Sequence, residues 1–124
     1  MSIQGTLIAY LKANVPAVSS RVYPLKAPDT PICPYIVLYR ISNERLMSHQ
    51  GYMGMARIRW QISVFDSDYT RGRGVADAVV TAMEAWPGVE SAVGYSLHAG
   101  ETELYEPDTG RYHIPVDFMV LCDP

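Results

Sequence analysis

Asp108-Thr109-Gly110 is the segment of this sequence whose residue types come nearest to a catalytic motif. The same triplet supplies the reactive carboxylate of aspartic proteases, in which two copies face each other and share one proton. Each copy there is held between apolar residues, whereas Pro107 precedes this one and Arg111 follows it. Proline, aspartate and a later glycine are typical of a tight turn. The sequence therefore predicts a hairpin turn here and no proteolytic centre.

Two further segments have the residue types of ligand-binding loops but lack the rest of the pattern. Asp66-Ser67-Asp68 places two carboxylates close together, yet the later glycine and bidentate glutamate of a calcium loop are missing. Gly72-Arg73-Gly74 lacks the remaining glycine, the lysine and the hydroxyl residue of a phosphate-binding loop. We expect the first segment to form a turn and a helix cap. The glycines of the second are expected to ease the start of a helix.

The histidines and cysteines are spaced too widely to indicate a metal site. His49, His98 and His113 have none of the short spacings with which histidines bind zinc. Cys33 and Cys122 form no Cys-x-x-Cys motif, so we expect two reduced thiols. A Gly-x-Ser-x-Gly nucleophile motif is also absent from the sequence. The chain is therefore expected not to be an enzyme and to bind no cofactor and no metal.

Length and composition indicate one soluble domain that covers residues 1–124. A chain of 124 residues can bury about two-thirds of its unfolded surface, which suffices for one core. The charged fraction of 19% is low, as in a subunit whose surface is partly covered by other subunits. A net charge of −3 gives no basic footprint for sequence-specific nucleic-acid binding. Without a long apolar run or a signal peptide, we expect synthesis in the cytoplasm and no membrane contact.

The elements that must position these residues follow from hydrophobic periodicity. Apolar and polar residues alternate from 55 to 65, which predicts a half-buried strand with Trp60 on the buried face. Arg57 and Arg59 then lie on the opposite face. Apolar residues recur at helical spacing in residues 3–15 and 69–85, and Ser2 and Asp68 are suitable N-caps for these helices.

The remaining strands complete an α+β fold. Their apolar patterns place them at residues 21–23, 35–42, 93–105 and 111–121. Residues 35–42 are apolar on both faces, which predicts a central strand. Pro115 cannot donate to a ladder, so residues 111–121 are expected at a sheet edge or with a bulge. Residues 44–54 are expected to form a loop. The order α-β-β-β-α-β-β predicts a mainly antiparallel sheet of about five strands with two helices packed on one face.

Two features of the sequence indicate an interaction surface. The first is the predicted loop, whose glycines and apolar side chains are typical of an adaptable contact surface; its candidate interface residues are Met47, Tyr52, Met53 and Met55. Alternatively, these side chains fold back over the edge of the core. The second is an arginine group, Arg57, Arg59, Arg71 and Arg73. Arg57 and Arg59 share the outer face of the long strand, where they can meet acidic residues of a neighbouring subunit or a nucleic-acid backbone. Alternatively, these arginines belong to a solvated sheet face.

Several segments, taken in order, resemble the phage tail-completion (tail-terminator) family. They are Arg21-Val22-Tyr23-Pro24, a proline-rich connector, Pro34-Tyr35-Ile36-Val37-Leu38, the strand 57–65 followed by a helix to residue 83, and Leu104-Tyr105-Glu106 followed by a hairpin and Asp117-Phe118. The resemblance covers nearly the whole chain. It depends on the order and spacing of these segments together and not on any one of them.

The resemblance implies a structural protein of a tailed bacteriophage or prophage, located in the virion. Such proteins form a ring, typically of six subunits, that terminates the tail tube and joins the tail to the head. The implied partners are other copies of the chain, the tail-tube protein and the head–tail connector proteins, with DNA able to pass through the ring. The family has no catalytic residues to carry over. Two alternatives are another neck or tail component, such as a head-closure or tail-tube protein, and a small dimeric α+β ligand-binding or regulatory domain.

Overall fold

The structure, a computed structural model, describes residues 2–124 apart from the side chain of Tyr52. Its helices and strands, in chain order, are α1 (Ile3–Asn14), β1 (Val22–Pro24), β2 (Tyr35–Ser48), β3 (Gly51–Asp66), α2 (Tyr69–Ala85), β4 (Val93–Glu101), β5 (Leu104–Glu106) and β6 (Arg111–Cys122). The α+β class and the predicted order are confirmed. One predicted strand, residues 93–105, is divided into β4 and β5 by Thr102 and Glu103.

The sheet has the strand order β1-β2-β3-β6-β4, and β5 pairs with the other end of β6. The short β1 runs parallel to β2, and all other pairs are antiparallel. β2 lies between β1 and β3 at Ile36–Leu38, so its predicted central position is confirmed for that part, whereas residues 39–42 have a neighbour only in β3. β6 lies between β3 and β4, in the interior of the sheet.

Of the two alternatives predicted from Pro115, a sheet edge or a bulge, the edge is therefore wrong. The Pro115 carbonyl accepts a hydrogen bond from the Thr102 amide at 3.1 Å, so the backbone of Pro115 faces β4 and β5. On that side the neighbouring strand is interrupted at Thr102 and Glu103, between β4 and β5. β4 also has a register shift between His98 and Gly100, just before the interruption. The side of Pro115 that lacks an N–H therefore lies opposite this interruption. A continuous neighbouring strand would have needed that N–H for a ladder hydrogen bond.

Both helices pack on one face of the sheet, and Trp60 lies at the centre of the core they form with it. The alternation predicted for this strand is confirmed, because the inward side chains of β3 and β6 are fully buried: Ile58, Trp60, Ile62, Val64, Ile114, Val116, Phe118 and Val120. The Trp60 ring lies 6.2 Å from that of Trp86, which follows α2. Tyr10 of α1 stacks on Trp86 at 5.8 Å and donates to the Ala82 carbonyl at 2.6 Å.

The predicted helix caps are confirmed. The Ser2 hydroxyl accepts from the Gly5 amide at 3.2 Å, and the Asp68 carboxylate accepts from the Thr70 amide at 3.0 Å. Helix α2 ends at Ala85 and continues into a 3-10 turn, Trp86–Gly88. The chain then returns to the sheet as β4.

The opposite face of the sheet is covered over only part of its area. Tyr35, Val37 and Phe65 form a second, smaller apolar cluster there. Ala27 and Cys33 pack against it from the proline-rich connector between β1 and β2, residues 25–34. Ser63 and Pro115 are also buried on this face, and its other side chains on β3, β6 and β4 are half-buried or exposed. We call this area the uncovered face; it is where a protein partner has most access to the sheet.

Candidate assembly surfaces

The segment expected to be a loop is a β-ribbon. β2 and β3 remain paired up to Ser48 and Gly51, so the predicted loop at residues 44–54 is wrong. β6 accompanies β3 only as far as the pair Ala56 and Cys122. Residues 45–55 therefore extend past β6 as a two-stranded ribbon, which we call the arm.

The missing alternation that suggested a loop has a physical cause. Apolar and polar residues alternate in a strand when one of its faces is buried and the other is solvated. The arm extends past the end of the sheet, where neither face is buried in the core. Its pairing is also irregular, because three residues of β3 oppose a single residue of β2 between the pairs Arg45–Ala56 and Met47–Tyr52. Gly54 lies in that bulge with a φ of +83°, a conformation that glycine adopts without strain.

The methionines of the arm are exposed. Met47 has 64% and Met53 has 58% of its surface accessible, so neither folds back over the core. Met55 is half-buried. The side chain of Tyr52 lies outside the described residues. The arm thus presents flexible, polarisable apolar side chains to solvent, as a contact surface that adapts to a partner would.

Arg57 and Arg59 lie on the uncovered face, opposite Trp60, as the alternation predicts. The Arg59 guanidinium forms an ion pair with Asp117, with Nη2 and Oδ2 2.5 Å apart and a second bond from Nε at 3.2 Å. Arg57 donates to the Tyr95 hydroxyl at 3.1 Å and lies 3.4 Å from Glu44. A partner would therefore meet these arginines as ion pairs, since their charges are compensated within the subunit.

A shallow depression of about 230 Å³ adjoins the Arg59–Asp117 pair. Gln61, Gly100 and Thr102 contribute to its walls, so its lining comes from β3, β6 and the interruption between β4 and β5. No sequence pattern indicated this depression, because its residues are distant in the chain and become neighbours only through the strand order. Its position beside the break in the edge strand makes it part of the uncovered face.

Arg73 connects α2 to the strand interruption. Its guanidinium lies 2.8 Å from Glu101, 2.9 Å from Asp77 and 3.2 Å from Glu103. Tyr69 donates to the same Glu103 at 2.7 Å, which lowers the pKa of Glu103. This cluster fixes the segment between β4 and β5 against the helix. It explains the arginine between Gly72 and Gly74 without a phosphate ligand.

The other segments with catalytic residue types have structural positions. Asp108 lies in the turn before β6, closed by the Gly110 amide donating to the Glu106 carbonyl at 2.8 Å, and Gly110 has the predicted positive φ of 69°. Asp66 is fully buried and accepts two bonds from Arg71 at 2.6 and 2.7 Å. Within residues 2–124, no three His, Cys, Asp or Glu side chains are grouped so as to hold a metal ion. None of the described helices is long and apolar enough to cross a membrane.

Comparison with known families identifies the chain. The model of the family described as "Tail completion protein gp17" matches residues 6–123. The chain belongs to this tail completion family. It is therefore a structural protein of a phage or phage-like tail, and its place is in the virion.

A solved structure has the same fold. A chain of the structure described as "Virion of native gene transfer agent (GTA) particle" superposes with a TM-score of 0.72 at 17% sequence identity. The alignment covers 99% of this chain and 98% of that one. A comparison with curated proteins found no match. The tail completion chain thus shares its complete fold with a component of a phage-like virion while sharing little of its sequence.

Proposed function

We propose that this tail completion protein forms a ring, typically of six subunits, that terminates the tail tube and joins the tail to the head. The match of the family model to residues 6–123 is the observation that carries this proposal. The ring subunit would be a single tail-terminator-like domain, residues 1–124, encoded by a phage or a prophage. It would act by binding alone, without catalysis or a cofactor.

The surfaces of the subunit are suitable for such a role. The arm exposes Met47 and Met53, and the uncovered face presents Arg57 and Arg59 as ion pairs. We propose the following interface residues: Met47, Tyr52, Met53, Met55, Arg57 and Arg59. Their partners would be other copies of the chain, the tail-tube protein and the head–tail connector proteins. DNA would pass through the ring without sequence-specific contacts, in keeping with the net charge of −3.

Complementation of extracts that lack this protein tests the proposal. Heads and tails made without it should stay separate, and the tail tubes should vary in length. Adding the purified chain should restore joined particles of uniform tail length, visible by electron microscopy. Joined particles with uniform tails in its absence would contradict the proposal.

The same extracts distinguish the alternatives. A head-closure protein would leave tails of normal length but heads that lose DNA, and a tail-tube protein would leave no tubes at all. Sedimentation of the purified chain over a wide concentration range, with and without tail tubes, separates a ring from a dimeric binding domain. A ring subunit should assemble with concentration or on tubes, whereas a binding domain would remain a tight dimer in both conditions.

A further inference from the structure

The sheet of this subunit has two long strand edges without a neighbour in the described chain. β1 pairs with β2 only at Ile36 to Leu38, so residues 39–48 of β2 have one open side. β4 is the last strand at the other end of the sheet, so residues 93–101 are open on the side away from β6. Open edges are templates for pairing with another chain.

The hydrogen bonds identify which backbone groups of β2 face its open edge. The Ile36 amide and the Leu38 carbonyl both bond to the β1 segment, at 2.9 and 3.0 Å. Alternate residues of a strand face the same side, so Arg40 continues this series. The register shift between Arg40 and Ser42 adds one residue to β2. The next residue whose backbone groups face the open edge is therefore Asn43 and not Ser42. No backbone hydrogen bond in the described residues reaches Arg40 or Asn43 from that side.

The same reasoning applies to β4. The Pro115 carbonyl faces β4, as its bond from the Thr102 amide shows, so alternate residues of β6 up to Met119 face the same way. Leu97 lies opposite Met119, so the Leu97 backbone faces β6. The backbone groups of the two adjacent residues, Ser96 and His98, consequently face the open edge.

The segments that contain the two edges have opposite net charge, whereas the edges themselves carry +1 in residues 39–48 (Arg40, Glu44 and Arg45) and −1 in residues 93–101 (Glu101). Residues 21–48, which form β1, the connector and β2, carry four basic and two acidic residues, a net charge of +2. Residues 90–108, which form β4, β5 and their loops, carry five acidic residues and no Lys or Arg, a net charge of −5. Arg73 offsets one of these five charges. Both edges also expose large apolar side chains: Ile41 at 51% and Met47 at 64% on β2, and Leu97 at 56% on β4.

We propose that the β2 edge of one subunit pairs with the β4 edge of a second copy, so that the sheets of neighbouring subunits join. Opposite charges favour this pairing and disfavour β2 with β2 or β4 with β4. Because the two edges differ, each contact leaves one free edge at either end, and such head-to-tail contacts form a ring when the rotation between neighbouring subunits closes. This inference rests on the proposed ring and specifies its contact.

Proline substitutions test the pairing, because proline removes an edge N–H that the fold itself does not use. Asn43→Pro disables the β2 edge, and His98→Pro disables the β4 edge. Each variant should remain monomeric where the unmodified chain assembles. An equimolar mixture should form dimers and nothing larger, since each variant supplies the edge that the other lacks. Asn43→Ala and His98→Ala are the matched controls, because they lose the side chain but keep the N–H, and both should assemble.

Hydrogen exchange of the unmodified chain provides a measurement that does not depend on folding of the variants. The amides of Asn43 and His98 should exchange on the order of 100-fold more slowly in the assembly than in the free subunit. Rings formed by the proline variants, or fast exchange at both amides within an assembled ring, would overturn edge pairing and leave the ring intact. An unmodified chain that assembles neither alone nor on tail tubes would overturn the ring, and the edge pairing with it.

Discussion

His113 lies flat against Phe65, with ring centroids 4.2 Å apart and planes inclined by 13°. Tyr35 stacks on the same Phe65 at 5.0 Å, so three rings on the adjacent strands β2, β3 and β6 lie in one row. The Nε2 atom of His113 is buried and has no hydrogen-bond partner among the described residues. Burial lowers the pKa of His113 below its ordinary value of 6.5, an effect that Glu106 partly offsets.

This stack predicts a loss of stability in mild acid. Because the pKa of His113 is lower in the folded state, the unfolded chain binds more protons as the pH falls below about 6.5. The free energy of unfolding should therefore decrease between pH 8 and pH 5. Urea unfolding of His113→Phe should show a smaller decrease over this range, whereas His49→Gln, at the exposed tip of the arm, should match the unmodified chain. An equal decrease in His113→Phe would contradict the prediction.

Two glycines of α2 should respond oppositely to alanine. A Cβ at Gly72 would lie 3.1 Å from the Cβ of Asp66, which is fully buried and held by Arg71, so Gly72→Ala should destabilise the protein. Nothing lies within 4 Å of a Cβ at Gly74, and Gly74→Ala should stabilise by up to about 1 kcal/mol through helix propensity. Thermal unfolding of both variants measures the difference. Equal stabilisation by the two changes would show that Asp66 moves freely.

Trp60 should contribute far more to stability than Arg57, three residues earlier in the same strand. Trp60 is fully buried, and Trp60→Ala should cost about 3–5 kcal/mol of unfolding free energy. Arg57→Ala, on the uncovered face of the same strand, should cost far less, since its ion pair with Glu44 is solvated. Denaturant titration of both variants gives the comparison. Similar costs would mean that the two faces of β3 contribute equally.

Exchanging the partners of the exposed ion pair separates folding from assembly. Arg57→Glu combined with Glu44→Arg keeps opposite charges opposite each other on β2 and β3, so the free energy of unfolding should change little. The positions of the two charges on the uncovered face are reversed, and we expect fewer joined particles in complementation. Full complementation by this folded variant would remove Arg57 from the proposed interface.

Where burial is one-sided, the sequence was sufficient to predict the elements. The alternation around Trp60 and the cap at Asp68 gave β3 and α2 because a half-buried strand and an amphipathic helix each impose a period on the residues. The same rule explains the error at residues 44–54. Solvent surrounds much of the arm, so burial imposes no period there, and its strands depend on backbone pairing alone.

Strand order could not be predicted from periodicity either. Pro115 suggested an edge, but its N–H is dispensable for a reason remote in sequence, the interruption of the neighbouring strand at Thr102 and Glu103. The candidate surface was likewise predicted in part. Alternation placed Arg57 and Arg59 on the outer face, whereas their acidic partners Glu44 and Asp117 are cross-strand neighbours that only the register brings together.

The arm should be needed for assembly and dispensable for folding. Met47 and Met53 are exposed, so Met47→Ser with Met53→Ser should change the free energy of unfolding by no more than about 0.5 kcal/mol. Joining of heads to tails should fall, because two apolar contacts would be replaced by hydroxyl groups that a dry interface must desolvate. Val89→Ser is the matched control, since Val89 is 69% exposed and lies after α2, outside the arm. Complementation by the two proteins, beside their denaturant unfolding curves, makes the measurement. Equal numbers of infectious particles from the double variant and from Val89→Ser would exclude the arm methionines from the interface.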